Sequence, residues 1–506
     1  MSDVQQIYAK YKKALTKRTV WDSTWEECYE FALPQRESTF AQSTSKINRL
    51  FDGTAPDCVD QLAALMLSEM TPPWGKWFHL TAGTDLSQAE FASIRPTLEK
   101  ISDTLQAHFD RSNFALEVHQ CYLDLITTGT TCLLFEEAPV GYASAFRFLC
   151  VPLSEICLDE GPSGRLDCTF RKSQMDYLTL KNRFPTFELT DKAVKALTED
   201  EAKISVIEAV LPRIGGGYTY TVFLEPDNQH DSIKGVPSLL KESVFSTSPF
   251  ISFRWVKAPG EVYGRSPVMK ALPDIKTANK VVELILKNAS IAVTDIWLAE
   301  DDGVLNPANI KLTPGAIIPK AVGSKGLTPL EAPGKFDVSQ LVIEDLRSHI
   351  RHALLGDKLG QLDQERMTAT EVRERSAQMM RILGATYGRL QTELLMPLVE
   401  RAVAILRRRG EIPDIFVDGR LLKVAYKSTK ANDQAQIDAE NALTWFNTIV
   451  KMGDNALQNV NVPLFVKWLG TKLNVPADIL QLADASNSGN TQGNIIDLSD
   501  YIKDDA

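Results

Sequence analysis

Two groups of residues have types and spacings that could support metal-dependent chemistry. Asp357, Asp363 and Glu365 lie in a polar, glycine-bearing segment and could bind metal ions for phosphoryl transfer. His349 and His352, three residues apart on a predicted helix, could share a metal ion. No histidine or predicted rigid strand supports the acids, and no carboxylate or cysteine converges on the histidines in sequence. The sequence therefore predicts no catalytic centre and no metal site.

Motifs that bind phosphate are also missing. The nearest fragment to a phosphate-binding loop, Gly323-Ser324-Lys325-Gly326, lacks the spacing and the following helix. Gly215-Gly216-Gly217 lies between two predicted strands, where a hairpin turn is favoured over a nucleotide loop. Arg407-Arg408-Arg409 could contact phosphate, but cations just before a helix-ending Gly410 also stabilise the helix dipole. We expect a protein that is not an enzyme and needs no cofactor.

Composition limits the class of protein further. The 506 residues include 55 Lys and Arg against 65 Asp and Glu, for a net charge of −10, and 44% are hydrophobic, enough for a large core. Length suggests about three folding units. An acidic total argues against an outer surface that coats nucleic acid, although it does not exclude a DNA channel. Seven cysteines without a C-x-x-C pair predict buried thiols in a reducing compartment. We expect neither a secretory signal nor a membrane span.

The first half of the chain is predicted to be α+β. A basic amphipathic helix near Val4–Arg18 is typical either of a surface helix or of a docking or DNA-facing arm. Further helices are expected at Trp21–Leu33 and Pro56–Met70. Alternating and apolar runs predict strands at Thr131–Glu137, Ala145–Val151, Ile204–Leu211 and Tyr218–Glu225.

The second half is predicted to contain two long helices joined by an insert. Apolar periodicity indicates one helix at Asp274–Ser290, entered through Pro273, and another at Val338–Leu355. We expect the two helices to match in length. The segment between them is rich in glycine and proline with short β-like runs. The pattern predicts a stalk that carries a small β-rich cap.

A polar loop and a very long helix follow the stalk. Gly356–Met367 contains two glycines and should be mobile. Thr368 and Glu371 form a capping box that opens a helix ending at Gly410. At about 40 residues this helix would span about 60 Å if straight, and Pro397 should kink it.

The remaining chain is predicted to be helical and then disordered. We expect helices at Asp433–Lys451, Pro463–Leu473 and Ala477–Ala483. The sequence ends in the acidic segment DLSDYIKDDA, which is expected to be disordered unless a partner orders it.

Several motifs in this order resemble the portal, or head-to-tail connector, proteins of short-tailed phages (podoviruses). The runs that carry the resemblance are Gly260–Pro267, Glu365–Arg373 and Gln391–Leu398, with less specific support from Leu50–Ala55 and Met70–Phe78. The resemblance covers roughly Tyr8 to Leu473. It implies a mainly helical α+β portal fold assembled as a closed ring, typically of twelve subunits. Carried over by position, it implies a wing at 1–265, a stem helix at 266–290, a clip at 291–336, a second stem helix at 337–355, a tunnel loop at 356–367, a long kinked wing helix at 368–410, a helical crown at 411–485 and a flexible acidic tail at 486–506.

The resemblance also implies a function and partners. The ring would occupy one capsid vertex of the virion, after assembly in the host cytoplasm. There it would nucleate procapsid assembly together with scaffolding and major capsid proteins, and it would dock the terminase large subunit, which hydrolyses ATP. Double-stranded DNA would pass through it, without sequence readout, during packaging and ejection, and tail adaptor proteins would bind it later. No membrane partner is expected.

Candidate site residues follow from this placement. Tunnel-loop contacts with DNA are predicted for Lys358, Gln361, Gln364 and Arg366, with Gly356 and Gly360 as hinges. Clip contacts with terminase or adaptor are predicted for Lys311, Lys320 and Lys325. The loop has two basic and three acidic residues, so its charge of 2 − 3 = −1 does not make a basic clamp. An ordinary helix–helix connection is the alternative for the loop. For the whole protein, the alternatives are a monomeric or dimeric scaffold adaptor and a metal-dependent nucleic-acid-processing enzyme.

Overall fold

The computed structural model divides the chain into two compact units. The larger comprises residues 1–86 and 99–428, and the smaller comprises 87–98 and 429–506. The structure describes residues 3–34, 50–73, 75–82, 88–161, 164–185, 203–225, 239–294, 297–299, 327–329, 336–356, 384–413, 422–426, 429–452, 460–473 and 475.

Short runs of helices and runs of strands follow one another through the described residues. The helices are α1 (Asp3–Ala32), α2 (Thr54–Met70), α3 (Gln88–Asp110), α4 (Phe114–Thr128), α5 (Tyr177–Arg183), α6 (Pro267–Thr294), α7 (Phe336–Ala353), α8 (Gly384–Leu390), α9 (Met396–Arg408), α10 (Thr429–Met452) and α11 (Val462–Lys472). The strands are β1 (Phe78–Ala82), β2 (Thr130–Glu137), β3 (Phe146–Val151), β4 (Ile156–Asp159), β5 (Cys168–Met175), β6 (Ile204–Pro212), β7 (Tyr218–Leu224), β8 (Leu239–Phe245), β9 (Phe250–Arg254), β10 (Trp297–Ala299), β11 (Leu327–Pro329) and β12 (Leu422–Tyr426).

Two antiparallel sheets form the centre of the larger unit. One has the order β4-β5-β6-β7-β8 and the other the order β3-β2-β9. The predicted hairpin is confirmed, since β6 and β7 pair antiparallel with Val206 opposite Leu224. Its turn uses Gly215, Gly216 and Gly217, whose φ angles of 97°, 100° and 76° are accessible to glycine and strained for other residues.

One hydrophobic core cluster lies between these sheets. On β6, Ile204, Val206 and Val210 face a cluster shared with β2 and β3, while Ile207 and Ala209 face a second cluster on the other side. This alternation is the period of two that a strand imposes on its side chains. Because both faces are buried, β6 reads as an almost continuous apolar run.

Helix α1 covers the second face of the five-stranded sheet. Tyr11 packs there in an edge-on contact with Phe170, at 5.9 Å between ring centroids. The prediction of two separate helices with a break before Trp21 is wrong: residues 3–32 form one helix. No proline or glycine interrupts it, and the Thr19 hydroxyl donates to the Thr16 carbonyl oxygen at 3.0 Å inside the helix. Its basic residues include Arg18, which is buried and donates to the Ser154 carbonyl oxygen at 2.6 Å.

An aromatic cluster covers the face of the three-stranded sheet that points away from the five-stranded sheet. It joins β1, α3, α4, β2 and β3, and its members are Trp77, Phe78, Phe109, Phe114, Phe135, Phe146 and Phe148. All seven side chains are almost fully buried. Rings of this size bury large apolar areas and dominate the energetics of a core.

The predicted pair of long helices exists, but the helices do not match in length. Helix α6 has 28 residues and α7 has 18. The prediction that Pro273 begins the first helix is wrong, because the helix starts at Pro267 and contains Pro273 in its interior. Ser266 caps it, accepting the Met269 N–H on its hydroxyl at 2.8 Å. The short pair β10–β11, with Trp297 opposite Pro329, lies in the insert between the helices.

The described part of the predicted long helix is continuous and contains one irregular turn. Residues 391–395 form a π-helical turn between α8 and α9, directly before Pro397. Proline removes one backbone donor and crowds the preceding turn, and a π turn is one way a helix accommodates this. The kink predicted at Pro397 stays a prediction, and the irregularity that the structure shows is the π turn that precedes α9.

The smaller unit contains α10 and α11. These confirm the helices predicted at Asp433–Lys451 and Pro463–Leu473. The rings of Phe446 and Phe465 stack at 4.7 Å between centroids. The predicted helix at Ala477–Ala483 and the acidic C-terminal segment lie outside the described residues.

Candidate assembly site at the helix pair

A short segment before α2 ties both long helices to the rest of the larger unit. The side-chain oxygen of Asn279, on α6, accepts the backbone N–H groups of Phe51 at 2.6 Å and Asp52 at 3.1 Å. The Asp52 carboxylate accepts a hydrogen bond from Nε–H of Arg347, on α7, at 2.8 Å and another from the Thr54 N–H at 2.9 Å. One segment thus holds the two helices in fixed register.

The charge on Asp52 is stabilised where it lies. The side chain is only 4% exposed, and burial alone would raise its pKa. Hydrogen bonds from Thr54 and the guanidinium of Arg347 outweigh that effect and hold the pKa below its usual value. The Asp52–Arg347 ion pair is therefore present at neutral pH.

The chain enters α6 through a crossing of two backbone segments. A Cβ atom on Gly264 would lie 2.2 Å from the Gly129 carbonyl oxygen, so no other residue fits at 264 without a shift. The Thr130 hydroxyl accepts the Gly264 N–H at 2.8 Å, and the Ser266 hydroxyl donates to the Thr127 carbonyl oxygen at 2.9 Å. These contacts give a physical reason for Gly264 and Ser266 in the segment that leads into the helix.

Tyr263 anchors the same segment in the core. It is fully buried, and its ring contacts Trp25 at 5.0 Å between centroids. Its hydroxyl accepts the Leu158 N–H at 3.0 Å. Burial raises the pKa of this phenol, so the hydroxyl stays protonated.

A buried ion-pair network fixes the helix that contains Pro397. Arg254, at the end of β9, is 1% exposed, and its Nη2 lies 2.7 Å from Oε1 of Glu393 in the π turn. The backbone N–H of Arg254 also donates to Glu393 at 3.0 Å, and its Nη1 pairs with Glu160. Burial opposes the charge, but the two carboxylates outweigh it and raise the Arg254 pKa. The π turn is thereby attached to the edge of the sheet.

Large apolar side chains on both long helices remain exposed. Leu284 and Leu286 on α6 are 49% and 52% exposed, and Leu341 and Val342 on α7 are 72% and 43% exposed. Scattered exposed apolar side chains are ordinary, but three leucines and a valine on one helix pair are typical of helices that another protein covers.

Charged residues flank this apolar surface. Glu283 pairs with Lys280 at 2.9 Å and Lys287 at 2.6 Å along one face of α6. Hydrogen bonds from Lys287 and Lys280 lower the pKa of Glu283 to about 2. The cations are thus partly balanced within the helix.

Two of the predicted site residues fall within the described part of the chain. Gly356 follows α7, where a Cβ atom would lie 2.9 Å from Sγ of Cys58, so close packing favours glycine there. Pro397 is the second residue of α9. The other predicted site residues lie outside the described residues: Lys311, Lys320, Lys325, Lys358, Gly360, Gln361, Gln364, Arg366, Thr368 and Glu371.

The comparisons with known proteins identify the family. A family model described as "Bacteriophage head to tail connecting protein" matches residues 4–480. The chain belongs to this family. The connector is 23% identical to the "Probable portal protein" of Bordetella phage BPP-1, over 97% of this chain and 87% of that protein. It is 25% identical to the "Portal protein" of Salmonella phage epsilon15, over 86% and 81%, and 21% identical to that of Enterobacteria phage T3, over 80% and 75%.

A solved structure also aligns with the connector. Its title is "Neck of empty GTA particle computed with C6 symmetry"; the aligned chain is 12% identical with a TM-score of 0.37, over 81% of this chain and 93% of that one. By its family match and its element order, the connector is a helix-rich, mixed helix-and-sheet protein of the phage head-to-tail connection.

Within the described ranges, no helix of the connector is long and apolar enough to span a membrane. The same residues contain no group of three histidine, cysteine or acidic side chains placed to hold a metal ion. His349 instead lies 3.7 Å from Asp345, one turn away on α7.

Sequence reasoning missed the residues that hold the helix pair. No sequence pattern points to Asp52, Asn279 or Arg347, although Asp52 lies inside one of the motifs that carry the resemblance. Arg254 and Glu393 were also missed. The signal in the sequence is a polar residue inside an apolar periodic segment, because a buried polar side chain needs a hydrogen-bonding partner.

Proposed function

We propose that the connector is a portal protein that assembles into a closed ring, of twelve subunits, at one vertex of the phage capsid. The observation that supports the ring most directly is the exposed apolar surface on α6 and α7. A heterologous interface that closes on itself buries such a surface in every subunit. Portal proteins are also what the aligned relatives are named.

In this proposal α6 and α7 form the stem and the insert between them forms the clip. The strand pair β10–β11 supports the assignment, since a small β element at the tip of two packed helices suits a protruding contact surface. Lys311, Lys320 and Lys325 would contact the terminase large subunit during packaging and tail adaptor proteins afterwards. The wing would comprise 1–265 together with the long helix 368–410. The crown would be 411–485, and 486–506 would be a flexible acidic tail.

We propose that double-stranded DNA passes through the ring without sequence readout. Twelve chains of −10 each carry about −120 in total. Acidic charge that lines a channel repels phosphates and keeps DNA from adhering, while a few basic residues interact weakly and in a salt-dependent way. The tunnel loop 356–367 would supply those contacts through Lys358, Gln361, Gln364 and Arg366, moving about Gly356 and Gly360.

Substitution of an exposed stem leucine tests the ring. Leu341→Asp should reduce the connector to monomers or small oligomers, because it places a charge in the proposed subunit interface. Light scattering and negative-stain images of the purified chain measure this. Leu178→Asp is the matched control, since Leu178 is 65% exposed on α5, outside the helix pair. Rings of unchanged size and yield in Leu341→Asp would contradict the proposed interface.

Deletion of 356–367 tests the loop separately. Rings should still form, while packaging or DNA retention in an infection assay should fall. If the deleted chain no longer forms rings, the segment is needed for assembly and the tunnel-loop assignment is wrong.

A further inference from the structure

The two helices of the smaller unit bury very little of their own surface. Among the residues of α10 and α11 whose burial the structure describes, only Ala439 and Gly470 are buried. The helices meet through aromatic rings: Phe465 stacks on Phe446 at 4.7 Å and contacts Trp445 at 6.2 Å between centroids. Most of the stability of a helix in a protein comes from the packing of its apolar face, and a pair of helices with so small a core is not stable alone in water.

Large apolar side chains on and next to these helices are exposed instead. Among them are Leu443, Trp445, Val450, Met452, Leu464, Val466 and Leu473, which are between 38% and 71% exposed. Single exposed apolar residues are ordinary on any protein surface. A concentration of them on two short helices is typical of a surface that a protein partner covers.

On α10 the exposed apolar residues lie on both sides of the line of contact with α11. At about 100° per residue, Leu443 and Val450 lie on one side of Phe446, and we call them the first flank. Trp445 and Met452 lie on the other side, and we call them the second flank. One neighbouring helix covers only the stripe between the two flanks. The apolar half of α10 is therefore wide enough for a further neighbour on each side.

Helix α11 repeats this arrangement, and the flanks carry no charge. Val466 lies on one side of Phe465 and Leu464 lies on the other. The charged residues Glu440 and Lys451 of α10 are exposed on the half of the helix that faces away from α11. An uncharged surface does not suit DNA, which is bound mainly through its phosphates. It suits the uncharged, aromatic-rich centre of a contact between proteins.

We propose that α10 and α11 form a second interface between copies of this chain, in which the first flank of one subunit packs against the second flank of its neighbour. This inference rests on the proposed ring. A subunit that lies between two neighbours needs two different apolar surfaces, whereas a two-fold dimer uses the same surface on both chains and would leave one flank exposed. A partner that the two helices need for their stability must also be present whenever the chain folds, and a second copy meets that condition.

Dilution of the purified rings in a low, non-denaturing concentration of urea, followed by light scattering, tests this interface. Val450→Asp on the first flank and Met452→Asp on the second should each raise the chain concentration at which half of the rings dissociate by about tenfold or more. Burial of one such side chain favours association by about that factor. Thr444→Asp is the matched control, because Thr444 is exposed on the polar half of α10. It should dissociate like the wild type, and so should Met452→Leu, which keeps an apolar side chain.

Circular dichroism of the same samples distinguishes the other ways of covering the flanks. If the flanks are covered within one chain, Val450→Asp and Met452→Asp lose helical signal while their rings dissociate at the wild-type concentration. That result would overturn the proposal, as would equal dissociation of Met452→Asp and Thr444→Asp, or an effect of only one flank. In each of these cases the ring through α6 and α7 would stand. A wild-type chain that forms no rings would instead contradict the proposed function itself.

Discussion

Asn279→Ala should loosen the helix pair from the larger unit. The Asn279 oxygen accepts two backbone N–H groups, those of Phe51 and Asp52, at 2.6 and 3.1 Å. Alanine leaves both donors without this acceptor, and a buried donor without a partner costs about 1–3 kcal/mol. Since the Phe51 donor is only partly buried and water can reach it, we expect the free energy of unfolding to fall by about 2–4 kcal/mol.

Urea denaturation followed by tryptophan fluorescence measures this loss, with ring yield recorded in parallel. Asn288→Ala is the matched control, because Asn288 is exposed on the same helix and the change in helix propensity is the same. A loss of less than about 1 kcal/mol in Asn279→Ala relative to Asn288→Ala would show that these two hydrogen bonds do not stabilise the helix pair. A shared denaturation midpoint of the two variants would show the same.

Three further experiments test separate parts of the fold. Gly264→Ala should cost about 3 kcal/mol or more, seen as a lower melting temperature and soluble yield, because a Cβ atom would lie 2.2 Å from a carbonyl oxygen. Acidification from about pH 5 to about pH 3 should destabilise the wild type more than Asp52→Asn in urea melts. The pKa of Asp52 is lower in the folded chain than in the unfolded chain, where it is about 4. The ionised carboxylate therefore stabilises the fold at pH values above about 4, and this stabilisation is lost as the pH falls through the folded pKa. Cys132 should resist iodoacetamide in the native protein at about pH 8, as judged by peptide mass spectrometry, because burial raises its pKa to about 12.

Each of these tests has an internal control. Gly388→Ala is matched to Gly264→Ala, since nothing lies within 4 Å of its Cβ position, and it should be neutral or slightly stabilising. Equal melting temperatures in the two alanine variants would contradict the backbone crossing. Parallel acid profiles of wild type and Asp52→Asn would show that Asp52 is not stabilised by its ion pair. Urea-unfolded protein should be alkylated at Cys132, and equal labelling of the native protein would contradict its burial.

The sequence predicted those elements whose signals are local. The β6–β7 hairpin follows from two apolar runs around three glycines, and α2 follows from periodicity that ends at a Pro-Pro pair. Strand β5 was missed because it is rich in charge. In the fold Arg171 lies 2.9 Å from Glu155 and Lys172 lies 2.7 Å from Glu225, so neighbours supply the partners that allow such residues in a sheet.

The candidate site depended on contacts that no local pattern contains. Asn279 and Asp52 are 227 residues apart, and Arg347 and Asp52 are 295 apart. A polar residue inside an apolar helical stripe indicates that a partner exists, but only the folded chain shows which residue it is. The same holds for Gly264, whose requirement for glycine arises from a backbone segment more than a hundred residues earlier.

We propose that this connector closes into a ring through its long helix pair. Light scattering of the purified wild-type chain, combined with negative-stain imaging, tests it most directly. We expect annular particles with a mass near twelve times the 56.2 kDa of one chain, and a neighbouring subunit number would still show closure. A monomer or dimer at concentrations where the protein is folded would contradict it.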